Sequence, residues 1–318
     1  MKATRFFFIF TIVTANLTVC TRDAAILPEV PEGVQAISLS GTPLRPAPPD
    51  ESTLANYETA KQAFETEPDN ADNLVWLGRR AAYTGDYREA VRVFTTGIGK
   101  FPEDARSFRH RGHRYITIRQ FDRAVADLRR AALLIEGKED EVEPDGMPNA
   151  LNIPVSTLHT NIWYHLGLAC YLKGDFLNAV RAYRSCLDAG KNDDMLAATC
   201  HWLYMTLRRM EWNEQAASLL DLIEADMNII ENTAYHRLLL FYKGELTEAD
   251  LAGAEDTAVM SDAAAYGLGN WYFYNGDKEK AKAIYKKIVA GDTWASFGRI
   301  AAEADLVREY SNSQRLSE

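Results

Sequence analysis

The chain has 318 residues, of which 47% are hydrophobic and 25% are charged, as is usual for globular proteins. Its formal net charge at pH 7 is −10. General binding of nucleic acid needs a basic surface, so this charge argues against that class of function.

The first twenty residues are typical of an export signal. Lys2 and Arg5 precede an apolar segment at 6–13, which is too short to span a bilayer as a helix. Cys20 resembles the lipidation site of bacterial lipoproteins, and ordinary cleavage after Ala15 is the alternative. The sequence therefore predicts a signal peptide at 1–20 and an exported protein, located in the periplasm or at the outer membrane.

The next thirty residues are rich in proline. Proline fixes φ and removes a backbone donor, so we expect no helix or central strand there and predict a tether at 21–50. Asp50 or Ser52 can cap a first helix that runs to about Thr66, as part of an incomplete leading repeat. The prolines of the tether are Pro28, Pro31, Pro43, Pro46, Pro48 and Pro49.

Two adjacent copies of one 34-residue unit follow, at 71–138. The first copy is marked by Leu74, Leu77, Gly78, Ala81, Ala90, Phe94, Gly97 and Pro102. The residues 34 positions later are Phe108, Arg111, Gly112, Tyr115, Ala124, Leu128, Ala131 and Glu136, and six of the eight keep their character. This pattern resembles the tetratricopeptide repeat. The resemblance implies an all-α fold, a right-handed superhelical solenoid of antiparallel helix pairs.

An acidic insertion interrupts the repeats near 139–159. Gly112 and Gly167 are 55 residues apart, which is one repeat of 34 plus 21 further residues. A strong third copy begins at Trp163, weaker fourth and fifth copies follow, and a clear sixth copy contains Gly269. An amphipathic helix at about 293–309 can then cover the open end of the stack. The predicted organisation is a signal peptide at 1–20, a tether at 21–50, an array of about six repeats at 51–310 and a polar tail at 311–318.

The first helix of each unit should line a concave groove, as in other tetratricopeptide arrays. Its predicted lining is basic and aromatic, and consists of Arg79, Tyr83, Arg106, Arg109, His113, Tyr164, Tyr171, His201, Arg208, Tyr242, Tyr266, Asn270 and Tyr274. Arginine binds carboxylates through two parallel hydrogen bonds and aromatic rings are rigid anchors, so we expect a peptide or protein partner with acidic groups.

Two other interpretations of these residues stay open. The basic side chains could be a solvated face, or could pair with the acidic run at 139–145. The aromatic wall at Tyr242, Tyr266 and Tyr274 could instead bind a small molecule or a glycan. A third possibility is a structural subunit that uses its outer, convex faces.

No motif for catalysis, a cofactor or a metal emerges. His110 and His113 share a helix, but zinc needs three or four ligands and no nearby residues complete a site. Cys170, Cys186 and Cys200 fall at small or apolar core positions, which favours buried free thiols over a disulfide. We therefore expect no catalytic residues, no cofactor and no enzymatic activity.

The C-terminal half also resembles a narrower family, the new-lipoprotein-I type of bacterial outer-membrane lipoprotein. The resemblance is carried by 202–204, 241–248 and 269–272, over roughly 195–300. It implies an adaptor that forms a homodimer and brings cell-wall hydrolases to a protease. The expected function is a non-enzymatic adaptor or scaffold for another envelope protein, with membrane contact only through a lipid anchor.

Overall fold

The computed structural model describes residues 27–252 and 261–310. The predicted signal peptide, including Cys20, and the polar tail lie outside these ranges. Within them the chain forms fourteen α-helices and one short hairpin. The helices are α1 (Glu51–Thr66), α2 (Ala71–Tyr83), α3 (Tyr87–Lys100), α4 (Ala105–Thr117), α5 (Phe121–Leu134), α6 (Leu158–Lys173), α7 (Phe176–Ala189), α8 (Asp193–Arg209), α9 (Asn213–Leu220), α10 (Thr233–Lys243), α11 (Glu248–Ala252), α12 (Asp262–Tyr274), α13 (Lys278–Val289) and α14 (Phe297–Asp305), followed by a π-helical turn at Leu306–Tyr310.

The helices pack as consecutive antiparallel pairs, each against its neighbours in the chain. A glycine on the first helix of a pair lets the second helix approach closely: a Cβ atom at Gly78 would lie 2.5 Å from the Phe94 ring, and one at Gly167 would lie 2.6 Å from the Tyr183 ring. The fold is therefore the predicted all-α tetratricopeptide-type solenoid.

An aspartate caps the second helix of several pairs. Asp86 accepts a hydrogen bond from the backbone N–H of Glu89 at 2.9 Å, and Asp277 accepts one from Lys280 at 3.0 Å. These carboxylates satisfy backbone donors that have no partner within the helix. The Gly-Asp sequence between paired helices thus ends one helix and starts the next.

The prediction of a tether was wrong for residues 27–50, which fold onto the helices. Two short antiparallel strands, β1 (Ala36–Ile37) and β2 (Pro43–Leu44), form a hairpin whose Ala36 and Leu44 are buried. Pro43 lies in a two-residue strand at the sheet edge, where a missing N–H is tolerated. The indole Nε1 of Trp294 donates to the carbonyl of Arg45 at 2.7 Å, which fixes the segment to the body.

The C-terminal helix does not merely cover the end of the stack. α14 contacts α6, α12 and α13, and Phe297 at its start packs on rings of α4 and α6. Because α4, α6 and α12 are the first helices of their pairs, α14 lies along the concave face. None of the described helices is long and apolar enough to cross a membrane.

Candidate functional site

The acidic insertion covers the N-terminal part of the concave face. We call residues 139–157 the acidic loop. Its two ends are held together by an isolated bridge between Val142 and Thr157, and Asp140 accepts a hydrogen bond from the backbone N–H of His159 at 3.0 Å. The loop is therefore anchored at the start of α6 and can lie across α2 and α4.

The predicted basic residues of the first two repeats are bound within the chain. Arg79 donates to the carbonyl of Pro144 at 2.7 Å, and Arg109 Nε lies 3.1 Å from a carboxylate oxygen of Glu143. Arg106 instead pairs with Asp104 at 2.7 Å and with Asp72. For Arg79 and Arg109 the structure thus shows the alternative interpretation, in which the basic side chains contact the acidic loop.

Tyr83 and His113 are likewise covered by other parts of the chain. Gly146 of the acidic loop packs so closely on Tyr83 that a Cβ atom would overlap the phenol ring. The rings of His113 and Tyr164 lie 5.4 and 6.5 Å from the ring of Phe297. These three predicted groove residues therefore contact the loop or α14 rather than an open surface.

Three further predicted groove residues belong to a buried hydrogen-bond network. Tyr171 and Tyr266 share a hydrogen bond between their hydroxyl groups at 2.7 Å, and Asn270 donates to Tyr171 at 2.8 Å. Tyr266 also donates to Asp305 at 2.9 Å, and Asp305 forms an ion pair with Arg209. The side chains of this network are almost completely buried, which removes Tyr266 from the predicted aromatic binding wall.

The last four predicted groove residues, His201, Arg208, Tyr242 and Tyr274, belong to a cluster of aromatic rings and one guanidinium group. His201 is fully buried, its ring stacks on Tyr235 at 4.6 Å, and neither of its nitrogens has a hydrogen-bond partner among the described residues. Burial lowers its pKa to about 3. Arg208 lies 4.4 Å over the ring of Tyr274, and both are partly exposed, as is Tyr242. Only the edge of this cluster is open to solvent.

Candidate metal and thiol chemistry is limited in the described part of the chain. No group of three or more potential ligands is close enough to hold a metal ion within residues 27–252 and 261–310. Cys170, Cys186 and Cys200 are buried free thiols. Burial raises the pKa of Cys170 to about 11 and the pKa values of Cys186 and Cys200 to about 12, so these thiols are unreactive at neutral pH.

The opposite face carries an open groove. A cleft of about 820 Å³, which we call the convex groove, lies between α5 and α7, the second helices of their pairs, and residues of α6 also line it. Apolar side chains form much of its lining, and Leu133 at its edge is 63% exposed. Its apolar lining comprises Ala132, Leu133, Ile135, Trp163, Leu166, Cys170 and Ala182.

The rim of the convex groove is basic. It carries Arg129, Lys138 and Arg181, all exposed, against one acidic side chain, Glu136. None of the three cations forms an ion pair with any residue that the structure describes. Sequence reasoning named the convex faces only as a general alternative and assigned no residue to them, because its candidate binding residues were all taken from the inner helices. A signal was present in the repeat register. Leu133 stands 34 residues after Gly99 of the preceding repeat, so a large apolar side chain occupies an exposed repeat position.

Comparisons with known proteins agree with the repeat assignment. The family model for the tetratricopeptide repeat matches residues 160–192 and 263–290, the predicted third and sixth copies. The chain therefore carries tetratricopeptide repeats at these two positions. The first two copies, at 71–138, lie outside the matched residues. A sequence comparison with curated proteins finds no match.

Several solved structures share the arrangement at low identity. YrrB, a tetratricopeptide repeat protein with an unusual peptide-binding site, is 13% identical over 82% of this chain and 98% of its own, with a TM-score of 0.43. A tetratricopeptide repeat protein from Parabacteroides merdae ATCC 43184 is 16% identical over 79% of this chain and 92% of its own, with a TM-score of 0.46. At such identities and TM-scores, neither similarity indicates what this chain binds.

Proposed function

We propose that the chain is a non-enzymatic adaptor that binds another protein in its convex groove. The observation that carries this proposal is a cleft of about 820 Å³ with an apolar floor and three exposed cations on its rim. Tetratricopeptide repeats generally mediate contacts between proteins, because stacked helix pairs expose long continuous surfaces. The concave face, in contrast, is occupied by the acidic loop and α14.

The partner segment should be amphipathic and acidic. Its apolar residues would cover Leu133 and Trp163, and its carboxylates would meet Arg129, Lys138 and Arg181. The whole chain has a net charge of −10, so an acidic partner is repelled from most of the surface and attracted at this rim. Such charge complementarity selects the docking site as well as the partner.

Affinity capture from envelope extract, followed by binding measurements with the purified partner, tests the proposal. The groove variant carries Leu133→Glu and Arg181→Glu, both at exposed positions where the fold should be retained. We expect the wild type to retain one partner and the groove variant to bind it at least about tenfold more weakly, because both the apolar contact and the charge attraction are lost.

The matched control is Leu177→Glu. Leu177 is 44% exposed on α7 but does not line the convex groove. This control should bind the partner as the wild type does. Equal binding by the wild type and the groove variant would assign the partner to another surface and reject the convex groove.

Export to the envelope is part of the same proposal and rests on residues 1–20. The lipoprotein resemblance implies an acylated Cys20 at the new N-terminus, whereas ordinary cleavage would leave a chain that begins at residue 16. Mass spectrometry of the mature protein from membrane and periplasmic fractions distinguishes the two. A full-length chain in the cytoplasm would contradict export.

A further inference from the structure

A second, smaller cavity lies beneath the acidic loop, between α2 and α4. It has a volume of about 120 Å³, well above the roughly 10–15 Å³ that one water molecule needs. We call it the basic cavity. It shares no lining residue with the convex groove. The charged and ionisable groups of its wall are Arg79, Arg109, Arg114, His110, His113, Tyr83 and Glu143.

Positive charge exceeds negative charge around the basic cavity. Three guanidinium groups line it, against the single carboxylate of Glu143. Burial lowers the pKa values of His110 and His113 well below the ordinary value, so both rings are neutral at pH 7. Asp145 of the acidic loop is close enough to Arg79 to interact with it. With Glu143 and Asp145 both counted as ionised, three guanidinium groups face two carboxylates, so the site has one excess positive charge.

Two of the guanidinium groups have unused donors. Arg109 is 7% exposed, and its Nε lies 3.1 Å from Glu143 without forming a hydrogen bond. Arg114 lies 5.6 Å over the ring of Tyr87 and forms no ion pair with any residue in the described part of the chain. Burial lowers the pKa of Arg114 to about 10. Arg114 is half-buried and has no carboxylate beside it among the described residues, so an oxyanion in the cavity would supply a counter-charge that this guanidinium lacks.

We propose that the basic cavity binds a small oxyanion of the size of phosphate or sulfate. Arg109 and Arg114 would donate to its oxygens, and the N–H of a neutral His113 ring would add a third donor. Phe94 and the acidic loop over Tyr83 bound the cavity, whose volume of about 120 Å³ suits a small oxyanion better than a larger organic ligand. Arg114 is partly exposed and marks the side from which an ion can enter.

Titration calorimetry with inorganic phosphate and with sulfate, at constant ionic strength, tests this site in the full chain. We expect saturable binding by the wild type at one site. Arg114→Gln should weaken it by about tenfold or more, because charge-assisted hydrogen bonds are lost. Glu143→Gln should strengthen it, because a competing carboxylate is removed.

The two variants separate a binding role from a structural one. Without added oxyanion, Arg114→Gln should be at least as stable as the wild type, since a half-buried charge without an ion-pair partner in the described ranges has been removed. Arg92→Gln, on an outward side chain that is 64% exposed, is the control and should leave binding unchanged. Absence of saturable binding below about 10 mM, or equal affinity of Arg114→Gln and wild type, would overturn the site.

Discussion

His201 shows how one buried side chain can set the response of the fold to acid. Its ring lies between aromatic neighbours, and neither nitrogen has a hydrogen-bond partner among the described residues. The folded pKa of about 3 is below the ordinary value of 6.5, so the unfolded chain takes up the proton first. The stabilising contribution is therefore complete above pH 6.5 and is lost as the pH falls below it.

We expect the free energy of unfolding to fall by about 2 kcal/mol between pH 7 and pH 5 through His201 alone. In His201→Phe, which keeps an aromatic ring and removes the titrating group, this part of the loss should disappear. Urea unfolding of both proteins at the two pH values measures it. The same pH dependence in the two proteins would mean that His201 is protonated equally in the folded and unfolded states.

The marker residues of the repeat could be predicted from the sequence, but the partners of the groove residues could not. Gly78 and Phe94 meet within one repeat, so their spacing in the chain encodes their contact. Tyr266 donates to Asp305, which in turn pairs with Arg209, and both of these residues lie outside the helix pair of Tyr266. A repeat pattern marks the inner helices as facing the concave side, and it contains no information about what covers that side.

At the scale of the element, the helix pairs depend on a glycine where they cross. Adding a Cβ atom at Gly78 places it 2.5 Å from the Phe94 ring, so the two helices or the ring must shift. We expect Gly78→Ala to reduce the free energy of unfolding by about 1–3 kcal/mol, as overpacking usually does.

Gly99→Ala on α3 is the matched control. No atom lies within 4 Å of a Cβ atom at Gly99, so alanine adds helix propensity without overlap. It should stabilise the protein by about 0.5–1 kcal/mol. Denaturant unfolding of both variants should therefore give opposite signs. Destabilisation by both would show that the loss at Gly78 is not specific to the close helix crossing.

The elements that the sequence did not predict are those held by distant contacts. The segment at 27–50 that contains the hairpin is rich in proline, which suggests an extended linker. Its Leu39 and Arg45 nevertheless bind Glu303 and Trp294 near the other end of the chain. The acidic loop likewise contacts α2, more than sixty residues away. Local composition predicted a tether for the first segment and no structure for the second, whereas long-range partners determine that both are ordered.

At the scale of the molecule, the solenoid is closed on its inner side by its own chain. The acidic loop covers α2 and α4, and α14 covers α6 and α12. An array that would otherwise offer a concave groove thus keeps its inner surface as core, and its free surface is the outer one. For this reason we place the partner on the convex groove.

The contact between α14 and the array depends on Asp305. This carboxylate is fully buried and bridges Arg209 at the end of α8 and Tyr266 of α12, with Arg308 beside it. Asp305→Asn keeps the shape but leaves the guanidinium groups of Arg209 and Arg308 to share the one carboxylate of Glu309, which lies 3.4 Å from Arg209. We expect a loss of about 3–5 kcal/mol in the free energy of unfolding at pH 7.

The double variant Arg209→Met, Asp305→Leu separates burial from charge. It removes both ions and keeps apolar volume, so it should be more stable than Asp305→Asn alone, because no uncompensated charge remains in the interior. Chemical denaturation of the two variants and the wild type measures the difference. If Asp305→Asn instead costs less than about 1 kcal/mol, the pair behaves like an exposed ion pair, as it would if α14 leaves the concave face for part of the time. The inner groove would then be accessible, and the proposal that partners bind only on the outer face would have to be revised.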